Sequence, residues 1–426
     1  MTEQLPAMPA EVEELNSRIA CAVANGQLME STAKNIGTLL SGAQTNLYFS
    51  SVNELADRCE WSELNDRFYQ TLAFGTGGLR GRTIGKIVTA AERGKTREGE
   101  RPEFPCVGTN AMNFFNINRA TRGLVDYLHD WNRREQISTK PRIVIAHDPR
   151  FFSKEFAALA AKVAAENGCD AFVFDSPRSV PELSFAVRHL HASAGAVITA
   201  SHNPPYDNGF KVYFNDGAQV IEPHASGIIA KVDAATSESF KPLPKERQGK
   251  VTTIGKDIDQ AYMRRLETLI LDSQLVREAK SLRIIYTPLH GTGGVIIKPM
   301  LTRLGFNFRV VPEQDCLDGR FPTVKSPNPE YGEALTMAIQ LAESENADLV
   351  VATDPDCDRM GVAVRTKGGK MKLLTGNQVG SLLAWYRIKT LFDKAVLNKQ
   401  NAERAVIIKT FVTTDLQNAI ADPCRK

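Results

Sequence analysis

The run Gly195-Ala196-Val197-Ile198-Thr199-Ala200-Ser201-His202-Asn203-Pro204 reads as a short apolar strand ending in a polar loop. It delivers Ser201 at the strand's C-terminal end, where open α/β sheets bind their ligands. Upstream, Arg142-Ile143-Val144-Ile145-Ala146 is a second apolar run. Ser153 is placed to cap a helix carrying Leu159, Val163 and Ala164, which stops at Gly168. Ala171-Phe172-Val173-Phe174 follows as the next strand. Strand, helix and strand in succession form a βαβ unit, so the sheet is expected to be parallel or mixed.

Downstream, Pro242, Pro244 and mixed charges mark a linker over 235–258, after which the same plan restarts. Leu282-Arg283-Ile284-Ile285-Tyr286 is a strand and His290-Gly291-Thr292-Gly293-Gly294 a tight turn into a helix over 295–304. Asn328-Pro329-Glu330 has the features of a helix start and precedes Leu335, Met337, Ala338 and Leu341. Leu349-Val350-Val351-Ala352 is a strand that delivers Asp354-Pro355-Asp356-Cys357-Asp358-Arg359. A third unit begins near Lys372: Thr375 opens a helix through Leu382, Leu383 and Tyr386, Ala405-Val406-Ile407-Ile408-Lys409 reads as its strand, and a further helix starts at Asp415. Residues 1–40 carry Leu15, Ile19, Val23 and Leu28 at helical spacing and read as a packing arm without chemistry.

The chain has 426 residues, 42% hydrophobic and 24% charged, an ordinary globular balance for about two to four domains. A net charge of +3 without a dense basic run gives no footprint for nucleic acid. No apolar stretch reaches the roughly 20 residues that span a bilayer, and no basic-then-apolar leader precedes Glu3, Glu11, Glu13 and Glu14. Cys21, Cys59, Cys106, Cys169, Cys316, Cys357 and Cys424 show neither a CxxC pair nor a zinc spacing. A cytoplasmic protein without membrane or nucleic-acid partners is the expectation.

Alternate aspartates in a tight loop place hard oxygen donors on one ion, which suits Mg²⁺, Mn²⁺ or Ca²⁺. An EF-hand is excluded, because Arg359 stands where its glycine belongs and Arg365 where its glutamate belongs. Three carboxylates around one cation leave excess negative charge. A phosphorylated Ser201 can still supply an oxygen if Arg80, Lys211 and Arg359 offset it. Taken alone, residues 201–204 read as a polar turn, and His202 need not face the serine. The GxSxG elbow of esterases is absent. Lys211, in Asn208-Gly209-Phe210-Lys211-Val212-Tyr213, reads as an acid or base beside a phosphate, or as a surface lysine. Gly75-Thr76-Gly77-Gly78-Leu79-Arg80-Gly81 is a glycine-rich loop that permits close approach to an anion, but it fits neither a Walker nor a dinucleotide pattern.

In this order, the stretches at 75–81, 199–204, 208–213, 287–293 and 354–359 resemble the α-D-phosphohexomutases, the phosphoglucomutase and phosphomannomutase family, over residues 65–420. Residues 216–219, 326–330 and 375–378 resemble its longer phosphoglucomutase and phosphopentomutase branch. The resemblance implies consecutive similar α/β domains with mixed sheets: an arm over 1–40, a first domain over 41–245, a second over 255–366 and a partial third over 370–426. It implies Ser201 as phosphoserine, and Mg²⁺ held by Ser201, Asp354, Asp356 and Asp358. Lys211, His202 and Arg80 would be catalytic, and Arg359, Thr76 and Lys409 would bind substrate. The substrate would be a hexose phosphate, glucose being favoured, isomerised between C1 and C6 through a bisphosphate, with glucose 1,6-bisphosphate as activator.

The family's Gly-Glu-Glu-Ser-like sugar-reading loop and its fourth domain are not found, so the chain reads as a C-terminally truncated mutase with weak or absent turnover. Phosphopentose mutation or bisphosphate synthesis, and a non-catalytic phosphosugar-binding remnant, are the rival readings. Cys357 stands where the family has a small residue and reads as a buried filler. Nothing sets the oligomeric state.

Overall fold

The computed structural model describes residues 9–43, 45–75 and 77–421. The chain divides between Lys256 and Asp257 into two compact units. Unit 1 holds a six-stranded sheet made of β1 (Gly78–Arg82), β2 (Arg142–His147), β3 (Asp170–Phe174), β4 (Ala194–Ile198), β5 (Asp207–Phe214) and β6 (Val251–Ile254), in the order β1-β5-β4-β2-β3-β6. β4, β2, β3 and β6 run parallel, and β5 and β1 are added antiparallel. The central parallel strands β2 and β4 are buried along nearly their whole length, as strands of a helix-covered sheet are. Ile143 and Ile145 join a core with Leu124, Leu128, Phe156 and Ala160 from the helices Phe114–Arg134 and Ser153–Glu166. Gly195 makes room for Leu183 and Val187 of the helix Val180–His189.

Four helices, Pro9–Ala24, Glu30–Ser41, Leu47–Asp57 and Trp61–Phe68, pack through Leu15, Ile36, Val52, Leu55, Leu64 and Phe68 on Val107 and Phe115. On the last of these helices Arg67 is buried against Glu63 at 2.8 Å and Glu92 at 2.5 Å, so its charge is compensated where water is excluded.

Unit 2 repeats the plan with β7 (Arg283–Thr287), β8 (Asn307–Val310), β9 (Leu349–Thr353), β10 (Met360–Arg365) and β11 (Met371–Leu374), ordered β11-β10-β9-β7-β8. β8, β7 and β9 are parallel, and β10 and β11 antiparallel. In each sheet one central parallel strand turns directly into an antiparallel neighbour. The β4–β5 turn carries Ser201 and the β9–β10 turn carries the three aspartates. The expected α/β architecture with mixed sheets is the one found.

Four local expectations are corrected. The linker is not structureless: Val251–Ile254 pairs with β3 as the sheet's edge strand. Ser153 does not cap its helix; Phe152 occupies the cap position at φ +65°, and Ser153 Oγ instead donates to Asp148 Oδ1 at 2.9 Å. The helix expected from Asn328 begins only at Thr336. Asn328 Oδ1 accepts from Glu330 N at 3.0 Å, which closes a local turn, and successive bonds from Ala334 N to Tyr331 O and Leu335 N to Gly332 O keep the segment in tight turns. Residues 405–409 form no strand, since no neighbouring strand among the described residues offers a ladder, and Val406 and Ile408 stand exposed. No helix among the described residues is long and apolar enough to cross a membrane.

Candidate active site

In unit 1 the chemistry gathers at the end of β4. Ser201 is fully buried and sits at φ +55°, a left-handed conformation that L-residues adopt only when held there. Its backbone N–H donates to Thr199 Oγ1 at 2.9 Å, and Thr199 Oγ1 donates to Asp148 Oδ2 at 2.6 Å. Ser201 Oγ lies 3.4 Å from His202 Nδ1, so the half-buried imidazole does face the serine, at the long limit of a hydrogen bond.

Register brings the cations alongside. Lys211 is paired with Val197 of β4 and Gly78 of β1, and Arg80 with Gly209. Strand alternation therefore puts Lys211 and Arg80 on one face of the sheet. Lys211 is buried, and Arg80 Nη1 donates to Asn203 Oδ1 in the serine turn at 3.4 Å. The glycine-rich stretch also has a packing role. Residues 78–82 are a strand, and a Cβ on Gly78 (φ +129°) would overlap the Phe210 carbonyl. A Cβ on Gly209 would come within 2.5 Å of Thr199 O. These glycines let three backbones close up around the serine turn. Thr76 lies outside the described residues.

In unit 2, Asp354, Asp356 and Asp358 each bring a carboxylate oxygen within 4.8 Å of the others, the first two buried and the third exposed. Asp354 Oδ1 accepts from the amides of Asp358 at 3.2 Å and Arg359 at 3.0 Å, which folds the turn round itself. Burial, then the Asp356 and Asp358 charges, push the Asp354 carboxyl well above the usual carboxylate range. This all-oxygen donor set suits a hard divalent cation, whose charge would relieve that repulsion. Arg359 is exposed and 3.9 Å from Asp358. Lys409 bonds within its own segment, to Thr413 O at 3.0 Å and Asp415 Oδ1 at 3.1 Å.

The turn after β7 does more than join a strand to a helix. Thr292 donates through N at 2.8 Å and Oγ1 at 2.9 Å to Pro355 O. A Cβ on Gly291 would come within 2.8 Å of Pro355 O. Buried His290 anchors the turn, with Nε2 2.9 Å from Thr323 Oγ1. The equivalent clamp in unit 1, Asp148 and Arg150 after β2, was missed by sequence reasoning, although an Asp-Pro-Arg at the end of an apolar strand was its signal. Their buried ion pair measures 3.1 Å.

Cys357 occupies the turn at φ +55°. Burial and then Asp354 push its thiol up to about 12; burial pushes Cys106 up to about 12 and Cys169 well up. Cys21, Cys59 and Cys316 are exposed. Iodoacetamide at neutral pH is therefore expected to label these three and spare Cys106, Cys169 and Cys357 in a peptide map. Labelling of Cys357 as fast as Cys316 would contradict the packed turn.

The family model "Phosphoglucomutase/phosphomannomutase, alpha/beta/alpha domain I" matches residues 102–239, and its domain II counterpart matches 260–369. Phosphoglucomutase of Staphylococcus aureus strain MRSA252 is 32% identical over 363 residues, 84% of this chain and 58% of that protein. The chain thus spans under two thirds of that relative's length. A structure provisionally assigned as a phosphomannomutase from Thermus thermophilus superposes with TM-score 0.59 at 26% identity, over 75% of this chain and 62% of that one. A family protein from Burkholderia thailandensis shares the fold at TM-score 0.53 and 20% identity, over 75% and 59%. With the central strands of both sheets matched in order, and the serine and aspartate turns inside the matched segments, the chain belongs to the phosphoglucomutase/phosphomannomutase family of α-D-phosphohexomutases.

Proposed function

We propose that this chain carries the phosphoserine and the metal-binding turn of a Mg²⁺-dependent phosphohexose mutase, with glucose phosphate as substrate and glucose 1,6-bisphosphate as activator. The observation that carries the reading is buried Ser201, held in a left-handed turn with His202 facing its hydroxyl, Arg80 bonded to Asn203 of the same turn and Lys211 buried on the adjoining strand. Asp354, Asp356 and Asp358 would hold the cation, which would withdraw charge from phosphoryl oxygens when bound.

The chain's residues divide the remaining work. A sugar hydroxyl oxygen attacks phosphorus, the bond from phosphorus to Ser201 Oγ breaks, and the hydroxyl proton passes to a base while Oγ is reprotonated. Lys211 is the leading group for that proton, being buried on the strand beside the serine. Arg80 and His202 hold charge and orientation at the same turn, and Arg359 orients the phosphosugar. The resulting bisphosphate returns its other phosphoryl group to Ser201. The six cysteines among the described residues are unbridged, which supports a reducing, cytoplasmic setting.

Intact mass and peptide mapping test this. After exposure to glucose 1,6-bisphosphate and Mg²⁺, the chain is expected to gain one phosphoryl group on Ser201, and Ser201→Ala none. A folded wild-type chain that gains none would overturn the proposal.

A further inference from the structure

We propose that Arg150 is the positioning residue that holds Ser201 in its left-handed turn and so sets the direction of its hydroxyl. The inference rests on the reading of Ser201 as phosphoryl carrier.

The Arg150 guanidinium spends its donors on one stretch of backbone. Nη2 donates to Ser201 O and Asn203 O, each at 2.6 Å, and Nη1 to Pro204 O at 2.7 Å and Asp207 O at 3.1 Å. The side chain is completely buried, and Asp148 compensates its charge. Asp148 is in turn fixed: its Oδ1 accepts from Arg150 N at 2.9 Å and Ser153 Oγ at 2.9 Å, and its Oδ2 accepts from the Thr199 hydroxyl.

The two arms close on Ser201. Thr199 Oγ1 accepts from the Ser201 amide, Arg150 donates to the Ser201 carbonyl, and Asp148 joins Thr199 to Arg150. Both polar groups of the serine backbone are thereby tied to one buried carboxylate. A strained conformation persists only where its surroundings over-determine it, and this circuit does so. Because the guanidinium points at carbonyls of the turn, its task is to place the serine, not to bind the phosphate. A lysine could not replace it, since one ammonium cannot present the planar fork that bridges four carbonyls.

Arg150→Lys and Thr199→Val test the circuit. Ser201 phosphorylation is followed by intact mass at varied glucose 1,6-bisphosphate with Mg²⁺, alongside hydrogen–deuterium exchange. In both variants the saturating rate is expected to fall about 100-fold, the loss typical of a misplaced reacting group. The half-saturating concentration should stay unchanged and exchange should quicken in the peptide covering 199–207 but not in 142–147. A saturating rate close to wild type, or a loss confined to half-saturation, would overturn the proposal. If Arg150→Lys does not fold, the near-isosteric Thr199→Val decides by the same criteria. If the wild type takes up no phosphoryl group, the carrier reading fails by itself, and exchange decides the clamp: unchanged protection of 199–207 in the folded variant rejects it, and selective loss supports it.

Discussion

Asp356→Ala is expected to slow phosphorylation of Ser201 by about a thousandfold, with part of the loss recovered at high Mg²⁺. The turn's own scaffold runs through its neighbours: Asp354 Oδ1 collects two amides, and Thr292 grips Pro355 O twice. Removing the Asp356 carboxylate therefore takes away a buried oxygen of the proposed metal site and leaves those bonds in place. A metal acting as Lewis acid supplies several kcal/mol of transition-state stabilisation, and about 4 kcal/mol corresponds to about a thousandfold in rate. Asp358→Ala should do less, because its carboxylate is exposed. The rate of Ser201 phosphorylation against Mg²⁺ concentration measures both. A rate for Asp356→Ala within threefold of wild type would remove the carboxylates from the proposed site.

Gly78→Ala is expected to destabilise unit 1 by about 4 kcal/mol, combining left-handed backbone strain with overpacking. Gly78 is at φ +129°, and an added Cβ would overlap the Phe210 carbonyl of the neighbouring strand. No flexible side chain can yield there, since both partners are backbone. The edge strand Gly78–Arg82 must shift, and with it Arg80 and its bond to Asn203. For a unit of this size the melting midpoint should fall by roughly 10 °C. Gly99→Ala is the control: Gly99 has φ +84° but nothing within 4 Å of a Cβ, so only strain remains and the loss should be about 1 kcal/mol. Equal losses at the two positions would show that packing against Phe210 contributes nothing.

The sequence showed the parts whose signal is local. Buried parallel strands are continuous apolar runs, so the segments around Ile143, Val173, Val197, Ile285 and Val350 could be read directly, and the serine and aspartate turns followed at their ends. Edge elements and polar clamps were less legible. Val251–Ile254 alternates exposed and half-buried residues, so it looks like linker until β3 is beside it. Arg150 reads as an ordinary loop charge, because the four groups its guanidinium grips in the serine turn lie more than fifty positions on and are carbonyls, which every residue possesses. Asn328 carried a true helix-start signal that a local turn intercepted. Gly78 accommodates the backbone of Phe210, a demand that a glycine-rich run does not reveal until the neighbouring strand is in place.

The positive φ at Ser201 also limits the amino-acid alphabet at that position. Threonine carries the same hydroxyl, yet its branched Cβ makes a left-handed backbone a genuine outlier. The usual interchange of the two hydroxyl residues should therefore fail here for reasons of shape, before any question of nucleophilicity arises. Serine combines an alcohol with the small, unbranched side chain that this buried turn accepts.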